Sequence, residues 1–377
     1  MIRFKHWRMT CLVELDHELS ADDCSAKANI KLALAALVLF ALQQLLEFCV
    51  LSSIQTTYLE MCRWDCDWYS SIIDRGYDRY SSDTIESKNF AFFPLLPIIA
   101  AALQWLIGVS TKAALIIVGK IFFLLAIFAF MKFCKKYFPE IYFITAGAVV
   151  AFNPYAIYPN SGYTESLFLF FTCVSFYFMK QRKNFSCGAC GIFLSATRLV
   201  GVVMAVSYAI SNFKDFFKAA PWQKVKIALA GLMLVSGLAL FMTYLHFHSG
   251  DAFAFFHAGK AWDREVSNPF ANLIDGFNSE LPFYQMASVV SVGAILCCVY
   301  LLAKKHFQLA AFSLFCTFIP LSTGLWSMPR YIWFQAPILL VIAKMINGGS
   351  AGLVFFISIP VMYFLYCVWL SGYHFIV

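Results

Sequence analysis

The sequence predicts an all-α polytopic membrane protein, a bundle of about 10–11 membrane segments of the kind that spans a bilayer with helices alone. Three observations predict it. Of 377 residues, 61% are apolar and only 13% charged, with a mean hydropathy of +0.72. A soluble domain is about one quarter charged and needs that polar surface to cover its core. The apolar residues come in long unbroken runs, not in the short alternating strands of an outer-membrane barrel. The cations, which give a net charge of +7, sit in short clusters between those runs, the pattern of membrane orientation and not of nucleic-acid binding. Cytosolic globular, disordered, collagen-like and small disulfide-scaffold classes are excluded by the same numbers.

Eleven apolar runs follow in order: 32–54, 90–108, 113–133, 141–157, 163–179, 187–211, 225–247, 284–303, 306–321, 331–346 and 351–375. Arg3, Lys5, Arg8, Lys27 and Lys31 precede the first, so residues 1–31 are expected to be a cytoplasmic N-terminal segment. The run from Leu32 lacks the pattern of a cleaved signal and reads as an uncleaved anchor. The positive-inside rule puts four later clusters on the cytoplasmic side: Lys132–Lys136, Lys180–Lys183, Lys214–Lys226 and Lys304–Lys305. Two adjustments make that alternation work. The run 90–108 lies at the outer interface, because Pro94 and Pro97 break its start and Trp105 suits a headgroup-level ring. The run 187–211 enters and returns as two half-helices meeting near Thr197 and Arg198, because an arginine in mid-span demands a protein- or water-lined break. A plain eleven-crossing bundle is the simpler alternative.

With this threading, 32–377 forms one transmembrane domain, and the polar segments 58–89, 153–165, the turn at Arg198, 248–283 and 322–330 all fall on the extracytoplasmic side. The first extracytoplasmic loop is 58–110 and the second large one 248–283; loops this long are usually functional. The thirteen cysteines are scattered. Cys187 and Cys190 form a CxxC without a second ligand pair, which argues against metal, and many of the rest sit in spans as small apolar residues.

The segment most suited to chemistry is Cys62–Tyr77, CRWDCDWYSSIIDRGY. At helical spacing Trp64, Trp68 and Ile72 form a stripe suited to a short helix lying on the membrane, with Asp65 and Asp67 projecting away from it. A carboxylate at the mouth of a membrane cavity suits general-base work. The bland reading is a solvated acidic face. A DxD can also hold a divalent cation in sugar-nucleotide enzymes, usually inside a soluble domain, and no such domain is encoded here.

This segment resembles the PIG-V-like family, that is, the second GPI mannosyltransferase and its bacterial relatives, within the GT-C superfamily of membrane glycosyltransferases. The resemblance continues in order through NFAFFPLLP (89–97), FNPYAIYPNSGYTESLF (152–168), SATRLVG (195–201), HSGDAFAFFHAGKAW (248–262) and SMPRYIWFQAPILL (327–340). It implies a GT-C-type fold and a polyprenyl-phosphate hexose donor such as polyprenyl-phosphate mannose. It further implies an extracytoplasmic site and inversion at the anomeric carbon, with a glycolipid, glycan or protein as acceptor. The chain's length suggests a bacterial inner membrane with a periplasmic site, or the lumenal face of the ER membrane in a eukaryote. The family's catalytic acid falls on Asp65; Asp67 is the second candidate, although many relatives carry a small or apolar residue there.

Attack by an acceptor hydroxyl, helped by Asp65, expels a lipid phosphate whose growing charge needs fixed donors. Arg198 and Arg330 are the candidates, because a guanidinium grips phosphate with two hydrogen bonds. A single phosphate leaving group requires no resident cofactor, and a divalent metal is not favoured. His257, Trp262 and Glu165 are candidate substrate contacts, as are Arg63 and Tyr69 beside the acidic pair. Each also has a structural reading: a loop contact for His257 and Trp262, a helix-terminus carboxylate for Glu165, scaffolding for Arg63. Lys120 reads as snorkelling or lining a cavity. The rival functions are a transporter or lipid-linked-sugar flippase, which would hold its ionisable groups near the midplane in related halves, and a non-catalytic membrane subunit.

Overall fold

The computed structural model describes residues 26–79, 88–262, 264–347 and 351–371. The expectations for residues 1–25 and for the end of the last run lie outside them. The chain is all helical, with no strand among the described residues. The helices are α1 (Ala26–Ser53), α2 (Asp65–Arg75), α3 (Leu95–Ile107), α4 (Thr111–Tyr137), α5 (Phe143–Ala151), α6 (Glu165–Lys180), α7 (Asn184–Ser195) and α8 (Met204–Lys218). They continue as α9 (Pro221–Ser249), α10 (Ala254–His257), α11 (Pro269–Asn278), α12 (Pro282–Ala303), α13 (Phe307–Leu321), α14 (Met328–Ile332), α15 (Ala336–Ile346) and α16 (Ala351–Ser371). Among the described residues, five stretches are long and apolar enough to cross a bilayer: α1, α4, the stretch 199–218 ending in α8, α9 and α12.

Helix ends follow from local chemistry. Proline occupies the first turn of α9, α11 and α12, where its missing N–H costs nothing. Asn268 caps α11 by accepting from the Phe270 N–H at 2.9 Å. Gly108 ends α3 and Gly250 ends α9 in the left-handed conformation that glycine adopts freely. The central helix is α4, whose Leu115, Phe123, Phe130 and Phe133 are buried with Phe168 and Phe176 of α6 and Phe312 of α13.

Three expectations change. The run 331–346 is divided between α14 and α15, with a turn at Trp333–Gln335. The run 141–157 is not one crossing helix. Helix α5 has nine residues, which at 1.5 Å per residue is far short of a bilayer. Pro154 and Pro159 stop it from continuing, and the Asn153 side chain accepts from the Tyr155 N–H at 2.8 Å to make a turn instead. The stripe on α2 is also rotated: Cys66, Tyr69 and Ile72 are buried, while Trp64 and Trp68 are only half covered.

The run 187–211 does break where Arg198 demands it. Arg182, just before α7, donates to the Ser211 carbonyl in the middle of α8 at 2.8 Å and pairs with Asp215 in its last turn at 2.8 Å. The Arg182 side chain thus ties the start of α7 to the C-terminal half of α8, and the chain doubles back as an open hairpin with its tip at Ala196–Arg198, its arms packed on neighbouring helices more than on each other. Small residues allow the tight packing. A Cβ on Gly191 would meet Leu234 of α9, one on Gly237 would meet the Ile192 carbonyl, and one on Gly201 would meet the Leu194 carbonyl inside the hairpin. The tip docks against the start of α3, where the Leu95 N–H donates to the Ala196 carbonyl at 3.1 Å. Helix α3, with 13 residues, is too short to cross, and its far end exposes Trp105 and Leu106.

Candidate functional site

Asp65 begins α2, directly after a residue in a rare backbone conformation. Trp64 has φ 60° and ψ −114°, a region that costs a non-glycine residue about 1–3 kcal/mol. Three contacts hold it there. The Cys62–Cys66 disulfide brackets the turn. The Asp65 N–H donates to the Tyr163 hydroxyl at 3.2 Å, and that hydroxyl donates to the Arg63 carbonyl at 3.2 Å. At the other end of α2, Thr111 donates to Asp74 at 2.6 Å and ties the helix to α4.

Three other segments bring charge to the surroundings of Asp65. Arg330 from α14, 3% exposed, donates through Nη1 to Asp65 Oδ2 at 2.8 Å. Its Nε lies 3.3 Å from Oε1 of Glu165, the first residue of α6 and fully buried. Arg198, at the hairpin tip, donates from Nη2 to the same Glu165 Oε1 at 3.0 Å. The Tyr158 and Tyr163 rings flank the Arg330 guanidinium, each 5.3 Å away. Asp65 Oδ1 carries no hydrogen bond among the described residues, and Glu165 Oε2 is buried without a partner. The cluster is not sealed from solvent: the Asp65 and Arg198 side chains are 23% and 15% exposed.

Two members of the cluster escaped the sequence reading. Arg264, from the second large loop, donates from Nη1 to the Tyr331 hydroxyl at 3.2 Å and from Nη2 to Ser327 Oγ at 3.2 Å. Tyr331 also accepts from Arg330 Nη2 at 3.3 Å, and the Arg198 guanidinium lies 4.6 Å over its ring. Burial alone would raise the Tyr331 pKa, but Arg264, Arg330 and Arg198 outweigh it and bring the phenol down to about 7. The site therefore sets two carboxylates against three guanidinium groups, with a phenol among them. Such an array can hold an anion with bidentate contacts while keeping a carboxylate at its edge.

The remaining candidates are dispersed. Asp67 pairs with Lys112 at 2.7 Å on the exposed side of α2, away from Asp65. Two residues on a helix are about 200° apart in direction, so one carboxylate turns in and the other out. Arg63 donates to the Leu370 carbonyl of α16 at 2.8 Å and reaches Glu60 at 3.5 Å, a scaffold contact. His257 pairs with Asp251 at 2.6 Å in its own loop. Trp262 packs edge-on against Trp68 and Phe92, at 5.7 and 5.9 Å, and fastens that loop to α2. Tyr69 is buried against Phe92 beside the cluster; burial and the nearby Asp65 push its phenol pKa up. Cys187 and Cys190 lie along α7, one buried and one partly covered, with no third metal-ligating side chain grouped with them among the described residues.

A second buried ionic group supports the first. Lys120 of α4 donates to Glu47 of α1 at 3.0 Å and to Gln44. Gln44 in turn donates to Asn160 at 3.0 Å, in the turn that carries Tyr158. Lys120 thus neither snorkels nor stands free; it braces the 158–160 turn beneath Arg330. No protein-family model matches this chain, and no curated protein matches it significantly.

Proposed function

We propose that the protein is an integral-membrane glycosyltransferase that moves a hexose from a polyprenyl-phosphate donor to an acceptor hydroxyl. The motif-by-motif resemblance to the PIG-V-like family makes mannose the expected sugar. The observation that carries the reading is the convergence of Asp65, Glu165, Arg198 and Arg330, from four separate segments, into one half-open ionic cluster. The chemistry uses each part. Arg330 holds Asp65 by Oδ2 and leaves Oδ1 to take the proton of the acceptor hydroxyl as that oxygen attacks the anomeric carbon. The bond from that carbon to phosphate oxygen breaks on the opposite face, and the electron pair goes to the phosphate. The guanidinium groups stabilise the charge that develops there.

The Cys62–Cys66 pair beside Asp65 supports an extracytoplasmic site, because disulfides persist in oxidising compartments. The rival transporter reading has one observation in its favour, the in-span Glu47–Lys120 pair. That pair is tied to the turn under the site, which suits a brace better than a moving carrier group. Purified protein incubated with radiolabelled polyprenyl-phosphate sugars and Asp65→Asn beside it tests the proposal. Transfer by the unaltered protein and a loss of roughly 100- to 10,000-fold in the variant are expected. Near-normal turnover by Asp65→Asn removes it as the base, and no transfer from any such donor refutes the enzyme.

A further inference from the structure

The Tyr331 hydroxyl has an unusual hydrogen-bond inventory. Its oxygen accepts from Arg264 and from Arg330, and its ring carries Arg198 on one face. Among the described residues its own proton has no acceptor. A phenol held by two cationic donors, with its proton unspent, is built to give that proton away and to bear the resulting charge. It also shares Arg330 with Asp65: one guanidinium grips the carboxylate by Nη1 and the phenol by Nη2.

We propose that Tyr331 is a catalytic acid that protonates the departing lipid phosphate, the step resting on the phosphate-linked donor proposed above. The balance closes without any further reagent. The acceptor oxygen forms its bond to the anomeric carbon and loses its proton to Asp65. The bond from that carbon to the phosphate oxygen breaks, its electron pair stays on oxygen, and the Tyr331 proton moves to the phosphate. The enzyme is left with a protonated Asp65 and a Tyr331 phenolate between Arg264 and Arg330. One proton passed from Asp65 to Tyr331 through solvent in the mouth restores the starting state. A phenol pKa brought down near that of a phosphate monoester makes the transfer close to balanced, where acid catalysis is most effective.

The charged and titratable groups facing Tyr331 are Arg264 from the outer loop, Arg198 from the hairpin tip, Asp65 from α2 and Arg330 from its own helix. Tyr158, Tyr163 and Glu165 surround that arginine. A guanidinium stays charged over any usable pH, so the alkaline side of the profile reports Tyr331. The working form needs Asp65 ionised and Tyr331 protonated, so kcat falls on the alkaline side as Tyr331 loses its proton.

The test is the pH profile of kcat for Tyr331→Phe against the unaltered protein, with polyprenyl-phosphate mannose as donor. The expected result is a loss of roughly 100-fold or more in kcat, a donor KM within about threefold, and disappearance of the alkaline limb. Replacing Tyr331 alone by 3,5-difluorotyrosine, a more acidic phenol of nearly the same shape, keeps the test available if the phenylalanine variant fails to fold; its alkaline limb is expected to move to lower pH. An active protein whose alkaline limb survives Tyr331→Phe, or stays in place with the fluorinated residue, overturns the acid role and leaves the glycosyltransferase reading standing. No transfer from any polyprenyl-phosphate sugar by the unaltered protein overturns both.

Discussion

Replacing Glu165 by glutamine separates the stability of the cluster from its affinity for anions, because the two move in opposite directions. Glu165 Oε1 lies 3.0 Å from Arg198 Nη2 and 3.3 Å from Arg330 Nε, and the carboxylate is fully buried. At an effective dielectric of 20, each charge pair at about 4 Å is worth roughly 4 kcal/mol before desolvation. Glutamine is easier to bury than glutamate, which returns part of this, and removing one partner of a buried pair typically costs about 3–5 kcal/mol net. At roughly 1–1.5 °C per kcal/mol for a chain of this size, the melting temperature in detergent should fall by about 3–8 °C. The same change leaves three guanidinium groups facing Asp65 alone, so an anion in the mouth gains. A phosphate about 6 Å from the lost charge gains roughly 3 kcal/mol, on the order of 100-fold in affinity. A thermal-shift titration with polyprenyl phosphate reads both effects in one experiment. The variant should start lower and rise more with ligand than the unaltered protein. An unchanged starting temperature would show that Glu165 does not neutralise the arginines. A fall in both stability and phosphate protection would show that it binds the ligand instead.

Other outcomes follow from the same geometry. Gly201→Ala places a methyl group against the Leu194 carbonyl at the hairpin tip, and the clash should cost about 1–3 kcal/mol and displace Arg198. On the proposed function, a lowered melting temperature with weaker donor binding but unaltered acceptor KM is the expected pattern; an unaffected protein would mean that the hairpin tip does not fix Arg198. Asp67→Asn breaks only an exposed pair with Lys112, so stability should change by less than about 1 kcal/mol and kcat by less than about threefold. A loss in turnover as large as that of Asp65→Asn would restore Asp67 as a catalytic group.

The parts of the fold that were legible in the sequence are those where one residue is too costly to sit in a plain span. Arg198 in an apolar run forced a break, and the hairpin of α7 and α8 is that break. Pro94 with Pro97 marks irregular backbone. Hydropathy alone carries the run 141–157 past Pro154, whereas α5 ends at Ala151. Within the site, Asp65, Glu165, Arg198 and Arg330 were each visible as a charge in apolar company. Their meeting was not, because contacts across 33 to 265 residues leave no local periodicity. Arg264 sits among other charges of its loop, and Tyr331 opens an apolar run, so neither stands out locally. The Cys62–Cys66 bridge does have a local signal: two cysteines one helical turn apart, in the segment that also carries the acidic pair.

The Glu47–Lys120 contact bears on how the chain enters its membrane. The first helix must be inserted carrying a carboxylate, and its counter-charge lies 73 residues further along. At about 5–20 residues per second, ribosomes need roughly 4–15 s to make that stretch. For that interval a lone ionisable group in the bilayer carries a penalty of about 3 kcal/mol. Helix α1 is therefore expected to linger beside the insertion machinery until α4 emerges, so that the two leave for lipid as a neutral pair. In a chain carrying Lys120→Met, the dwell of the first helix at the translocon should lengthen, which site-specific crosslinking to the channel during synthesis would register.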